Sequence, residues 1–444
     1  MTGAPALPDA VVVSASSPLA GEVRTPGDKS ISHRALLIGA LAEGTSWLRG
    51  LSDGDDVSRT QAAVSHLGAS VRRSGPDAAV QGGRARLRGG GTIDCGNSGT
   101  SMRLLAGVLA GLDGETELTG DISLCGRPMD RIVEPLAAMG ATILGRGRRQ
   151  LPPLRVRGGR LCGVTWAPPM ASAQVKSAVL FAGLDADGET VVEETVATRA
   201  HTEELLTAAG AAITVEPMAT GRRIRLQRSR LTPLDLDIPG DPSQAAFWLV
   251  AACVVPGSRV RVTRVYAGPE RTGFLSVLER MGAALRVERH ADGSADLMAE
   301  HCRLSATAVS ASEIPSLDEV PILAVAAAAA TGTTTFSQVG ELRVKESDRF
   351  AATLRLVEAL GARASARGDD LMVEGQGRLG PGPVHFDGGG DHRMAMAAVV
   401  GALGSEAGGQ VRGMRAVATS YPAFLQDLSR LAGASTWEPA STVP

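Results

Sequence analysis

The chain has 444 residues, enough for two or three domains at roughly 150 residues each. Lys+Arg is 45 and Asp+Glu is 47, a formal net charge of -2, which gives no general electrostatic drive toward nucleic acid or an anionic membrane. Aromatic residues make up only 3 %, too few for a base-stacking surface, while 44 % hydrophobic residues supply a core and exclude wholesale disorder.

The 54 glycines are about 12 % of the chain, against ~7 % in an average protein, and they follow no collagen-like period. Five cysteines (Cys95, Cys125, Cys162, Cys253 and Cys302) are scattered without a C-x-x-C pair, which argues against a disulfide framework or a cysteine zinc site. The first residues carry no basic stretch ahead of an apolar run, so a signal peptide is not expected. The apolar run from Val320 to Ala330 is about half of a membrane span. A soluble, cytoplasmic protein is expected.

A repeat organises the chain. A Gly-Ala pair closes an apolar segment at Gly68, Gly140, Gly210, Gly282, Gly361 and Gly433, with spacings of 72, 70, 72, 79 and 72. In phase with it runs an Ala/Leu-rich helical stretch, a small-residue turn and a β-branched run, as in ALLIGALAEGTSWL and PILAVAAAAATGTTTF. Each repeat is therefore read as helix, strand, second helix ending at the Gly-Ala turn, then one or two strands. For the first repeat this predicts 30–42, 46–51, 57–67 and 70–73. A glycine after each second helix suits a residue with positive φ. Six repeats divide into two domains of three, with a seam near 235–244, and the Pro- and Ser-bearing tail after Trp437 is expected to fray.

The segments ahead of the six first helices are, in chain order, PGDKSISHR, CGNSGTSMR, MASAQVKS, PGDPSQ, IPSLDEVP and GGGDHRM. A helix N-terminus has free N–H groups and a positive dipole end, so six such ends could together hold a polyanion. Ser, Asp, Asn and Gly are also what ordinary caps look like, and Asp241 and Ser243 fit that simpler reading equally well. Lys29, Arg34, Arg103 and Arg393 fit it worse, because a cation in the first turn opposes the dipole. Two further clusters add charge. CGRPMDR places Arg127 before the second helix of repeat two, and ELRVKESDRF places Lys345, Glu346 and Arg349 before that of repeat five. At i and i+4, Lys345 and Arg349 could share a helix face, or the segment could be a solvated charged turn. Asp318 and Glu319 open an apolar helix and could cap it, or one could act as a general base.

Familiar motifs fail. Asp28 interrupts the GK[ST] of a phosphate-binding loop, no G-x-G-x-x-G follows a strand, the seven histidines show no H-x-x-x-H spacing, and G-x-S-x-G is absent. No metal and no cofactor are expected.

Together TPGDKSISHRALL, CGNSGTSMRLLAG, GRPMDRIVEPL, SAQVKSAVLFAGL, GELRVKESDR and GGGDHRMAM, co-linear from about Ser17 to Ala434, resemble the 5-enolpyruvylshikimate-3-phosphate synthase (3-phosphoshikimate 1-carboxyvinyltransferase) family. The resemblance implies an α/β fold, a two-domain inside-out α/β barrel of six βαβαββ repeats with the active site in the interdomain cleft. The implied domains are 25–238 and, with the N-terminal strand, 1–24 plus 239–444. It implies enolpyruvyl transfer from phosphoenolpyruvate to the 5-hydroxyl of 3-phosphoshikimate by a monomer. Catalytic roles would fall to Asp318 as base at the hydroxyl, Glu346 as acid–base at carbon and Lys29 at the departing phosphate. The resemblance assigns 3-phosphoshikimate to Lys29, Ser30, Arg34, Ser172, Ala173, Gln174, Arg199, Asp318 and Lys345. It assigns phosphoenolpyruvate to Lys29, Asn97, Gly99, Arg127, Gln174, Arg349 and Arg393. Ala200 stands where the family commonly has an acidic residue, Cys125 where a basic one is frequent, and Thr419 where one large subgroup has lysine. A UDP-N-acetylglucosamine enolpyruvyl transferase, or a paralogue with another phosphorylated ring as acceptor, is the alternative within the same fold. A non-catalytic anion-binding protein is the alternative outside it.

Overall fold

The computed structural model describes residues 7–15 and 18–440. They fall into two compact halves, one made of 27–238 and the other of the N-terminal segment to Pro26 together with 239–444. Each half holds three repeats.

The first repeat shows the local logic. Helices Lys29–Leu41 and Asp55–His66 alternate with strands Gly44–Arg49, Ser70–Ser74 and Asp77–Gly82, so the predicted elements are present with ends shifted by one or two residues and a fifth element added. The glycines of the six Gly-Ala turns all have positive φ, from +78° at Gly210 to +118° at Gly68, which an L side chain would resist.

The first helix of each repeat has no polar stripe. All thirteen residues of Pro242–Val254 and all ten of Val320–Ala329 are buried, as a helix apolar all round must be. These two helices and His392–Gly404 pack on one another. In the other half, Gly99–Gly111 packs on Ala173–Gly183 so closely that a Cβ on Gly107 would lie 2.2 Å from the carbonyl oxygen of Ala178. Among the described residues six four-stranded sheets complete the halves, with strands such as Leu151–Arg157 alternating buried and open positions. Helices inside and sheets outside is, half by half, the inside-out α/β barrel expected.

Sheet topology shows what repetition alone does not. In repeats two, three, five and six the leading strand runs parallel to the strand after the first helix, a βαβ crossover, as Thr92–Asp94 does with Glu115–Thr119. In repeat one that place is taken by Asp235–Asp237, from the far end of the same half. In repeat four it is taken by Ala20–Val23, and in repeat six Ala10–Val13 supplies the central antiparallel strand. The tail corrects one expectation: Trp437–Pro439 is a strand paired antiparallel with Ala10–Val13, satisfying its backbone there. Residues 441–444 lie outside the described residues.

Candidate functional site

The polar starts of the first helices are caps, and more. The side chains of Asp28, Ser98, Ser172, Asp241 and Asp391 each accept a backbone N–H of the helix they precede. Glu319 makes no such bond ahead of Val320–Ala329. The cations in or beside these first turns require a further account.

In the 27–238 half, Arg34 is 2 % exposed. Its Nε donates to Thr202 Oγ1 at 2.6 Å, Nη2 to Ser177 Oγ at 2.7 Å and Nη1 to the Ser30 carbonyl at 2.9 Å. One planar fork thus ties helix Lys29–Leu41 to Ala173–Gly183 and His201–Ala208. Ser177 also donates to the Ala173 carbonyl, and Arg199 Nη1 donates to Ser30 Oγ at 2.8 Å. Lys29 forms an ion pair with Asp56.

A second group surrounds Gly99. Arg103 Nη1 donates to Gln174 Oε1 at 2.5 Å, and Gln174 Nε2 to Thr100 Oγ1 at 2.9 Å. Arg127 Nη2 donates to Asn97 Oδ1 at 2.6 Å, while Asn97 Nδ2 donates to Asp121. A Cβ on Gly99 would lie 3.2 Å from Arg103 Nη1 and 3.4 Å from Arg127 Nη1, so glycine leaves room beside both guanidiniums. Burial, then the charges of Lys29 and Arg34, holds His33 well below its ordinary pKa. Its neutral ring meets Thr60 Oγ1 through Nδ1 at 2.7 Å.

The other half builds its cluster on one arginine. Arg349, its side chain closed to solvent, contacts Asp391 at 2.7 Å, Glu346 at 2.8 Å and Asp318 at 3.2 Å. Burial alone would lower its pKa; Asp391, Glu346 and Asp318 outweigh that and raise it. Burial likewise pushes the Asp391 carboxyl up, and Arg349 and His392 more than reverse it, holding it below the usual range. Arg393 approaches Asp318 Oδ2 at 3.5 Å, and Lys345 Nζ donates to the Ser316 carbonyl at 3.1 Å. Asp318 and Glu346 keep 17 % and 28 % of their side-chain surface open.

Of the two readings open for Lys345 and Arg349, the shared helix face does not form. Asp348 caps the helix, which begins at Arg349, and leaves Lys345 in extended backbone before it. Cys125 donates its thiol to the Gly120 carbonyl, Thr419 ends a short 3-10 turn, and Ala200 precedes His201–Ala208 with no side-chain cap.

Sequence reasoning passed over Thr202, Ser177, Asp391 and Lys176. The hydroxyls carry no signal of their own. Lys176 does: with 45 Lys+Arg in the chain, Lys29, Lys176 and Lys345 are its three lysines, and arginine holds every other basic position.

The model of the family described as EPSP synthase (3-phosphoshikimate 1-carboxyvinyltransferase) matches residues 13–428. The 3-phosphoshikimate 1-carboxyvinyltransferase of Caulobacter vibrioides is 45 % identical over 437 residues, covering 95 % of this chain and 97 % of that one. The solved structure of EPSP synthase from Acinetobacter baumannii superposes with a TM-score of 0.84 at 36 % identity, covering 97 % of this chain and 99 % of that one. The enolpyruvyl transferase NikO from Streptomyces tendae shares the fold at a TM-score of 0.74 and 20 % identity, over 96 % of this chain and 98 % of its own. With one family model spanning the repeats from first to last and a relative this similar along nearly its whole length, the chain belongs to the EPSP synthase family.

Proposed function

We propose that the chain transfers the enolpyruvyl group of phosphoenolpyruvate to the 5-hydroxyl of 3-phosphoshikimate, giving 5-enolpyruvylshikimate 3-phosphate and inorganic phosphate. The observation that carries the residue-level reading is the pair of part-open carboxylates, Asp318 and Glu346, sharing the buried guanidinium of Arg349 at 3.2 and 2.8 Å. Addition of an alcohol across an enol double bond needs a proton taken from oxygen and a proton given to carbon, and elimination of phosphate reverses the second transfer.

In this reading Asp318 removes the hydroxyl proton as the oxygen attacks C2 of phosphoenolpyruvate, and Glu346 protonates the methylene carbon. Glu346 then withdraws a proton from the resulting methyl group as the C2–O bond to phosphate breaks, and Lys29 steadies the departing charge. Lys29, Ser30, Arg34, Ser172, Ala173, Gln174, Arg199, Asp318 and Lys345 hold 3-phosphoshikimate. Lys29, Asn97, Gly99, Arg127, Gln174, Arg349 and Arg393 hold phosphoenolpyruvate. Two polyanions repel each other, and fixed cations already oriented by hydrogen bonds offset that repulsion without reorganising during the reaction.

Among the described residues no helix is long and apolar enough to cross a membrane. The reading extends to a monomer acting in the cytoplasm without metal or cofactor, and sedimentation at assay concentration checks the oligomeric part. The deciding assay is phosphate release from phosphoenolpyruvate with and without 3-phosphoshikimate, the organic product being identified by NMR. Release that depends on 3-phosphoshikimate and yields the 5-enolpyruvyl ether is expected. Release with UDP-N-acetylglucosamine instead would replace the acceptor, and no release with either would remove the activity.

A further inference from the structure

Lys176 has no part in the roles given above, yet all three of its ammonium protons are matched. It lies in helix Ala173–Gly183, two residues beyond Gln174, with its side chain closed to solvent. An ammonium offers three donors and no acceptor. Here Nζ donates to Glu203 Oε1 at 2.7 Å, to Glu194 Oε2 at 3.0 Å and to the backbone carbonyl of Arg199 at 3.0 Å. Burying the charge is tolerable only because all three protons are matched.

The cluster has a second cation. Arg222 Nε donates to Glu194 Oε2 at 2.8 Å, and its Nη2 donates to the carbonyl of Thr198. The Thr198 hydroxyl returns to Glu194 Oε1. Burial pushes the Glu194 carboxyl up, and Lys176, Thr198 and Arg222 more than reverse this, keeping it ionised at neutral pH. The outward bonds of the two cations end on successive carbonyls, those of residues 198 and 199. Residues 195–200 belong to neither the strand Thr190–Glu194 nor the helix His201–Ala208, so no ladder or helical turn holds those carbonyls. From this segment Arg199 reaches Ser30, at the first turn of helix Lys29–Leu41. Apolar residues could fill the same volume at less desolvation cost, but they could not hold two carbonyls.

We propose that Lys176, seconded by Arg222, is a positioning residue that fixes the carbonyls of Thr198 and Arg199 and so aims the Arg199 guanidinium at bound 3-phosphoshikimate. The inference rests on the acceptor assignment made above for Arg199. Lys176 itself touches no substrate.

Lys176→Met would leave Glu203 only its longer contact with Arg222 Nη2 at 3.5 Å and weaken the hold on Glu194, and it is expected to unfold the half. The informative variant is therefore Lys176→Gln with Glu203→Gln, which removes one charge of each sign and leaves Glu194 with Arg222. Its KM for 3-phosphoshikimate is expected to rise about tenfold, the scale on which a single charge-assisted hydrogen bond acts, with kcat and the KM for phosphoenolpyruvate within about twofold. Arg199→Ala should raise the same KM, and adding the Lys176/Glu203 changes to it should raise it no further, because both act through one guanidinium. An unchanged KM in the double variant, or additive effects with Arg199→Ala, would overturn the positioning role while leaving the reaction standing. Absence of any 3-phosphoshikimate-dependent turnover in the unmodified chain would overturn the acceptor assignment and this role with it.

Discussion

The two halves differ in the groups that meet the arginines of the candidate site. In the 27–238 half the guanidiniums of Arg34, Arg103, Arg127 and Arg199 donate to hydroxyls, amide oxygens and a backbone carbonyl. In the other half Arg349 and Arg393 meet carboxylates. A neutral acceptor fixes the direction of a guanidinium and leaves its charge to act elsewhere. A carboxylate fixes direction and cancels charge, but it brings a group able to move a proton. Under the proposed function the difference sorts the chemistry: anion capture in the 27–238 half, proton transfer in the other. Lys29, paired with Asp56, and Lys176 and Arg222, both paired with Glu194 and Glu203, qualify the contrast within the first half.

Removing the proposed proton-transfer groups breaks the comparison most directly. Asp318→Asn and Glu346→Gln are each expected to lower kcat by ~10²–10⁴-fold, the usual span for a lost general acid or base, in steady-state phosphate release. Wild-type turnover in either variant would end that carboxylate's catalytic role. Next in size, Arg34→Lys keeps the charge but loses the fork shared among Thr202, Ser177 and Ser30. Its KM for 3-phosphoshikimate should rise by about tenfold, and an unchanged value would mean that orientation by neutral partners is unimportant. Gly99→Ala places a methyl group 3.2 and 3.4 Å from two guanidinium nitrogens. A rise of roughly three- to tenfold in the KM for phosphoenolpyruvate is expected from such crowding, with that for 3-phosphoshikimate unmoved.

The smallest effect concerns pH. The Asp391 carboxyl is depressed in the folded chain. Between its folded and unfolded pKa values the unfolded chain binds more protons, so unfolding free energy falls as pH falls through that window and is flat above it. Urea unfolding below about pH 4 should show this decline, and Asp391→Asn should reduce its slope by at most one proton while lowering stability at neutral pH.

The period, the six Gly-Ala turns and the all-apolar first helices were legible because each is written within a few neighbouring residues. Asp318, Glu346 and Arg349 were legible as a charged group, but not the geometry that makes Arg349 their common partner, since Asp391 enters from the next repeat. The mistaken helix face of Lys345 and Arg349 has a local cause: Asp348, one residue before Arg349, is a better cap than anything ahead of Lys345. The strand Trp437–Pro439 was missed because its partner, Ala10–Val13, lies at the other end of the chain. Lys176 looked like an ordinary helical residue because its acceptors, Glu194, Arg199 and Glu203, arrive from later elements.

The borrowed strands put a clock into the fold. Leu19, at the mouth of Ala20–Val23, donates its N–H to Ser258, a partner 239 residues later. At a synthesis rate of ~5–20 residues per second, that strand waits on the order of 10–50 s for its sheet to exist. Residues 27–238 meanwhile contain every strand of their own three sheets and can close without it. The later half is therefore completed by residues made before the earlier half, and until its sheet forms the nascent chain carries an unpaired segment at 20–23.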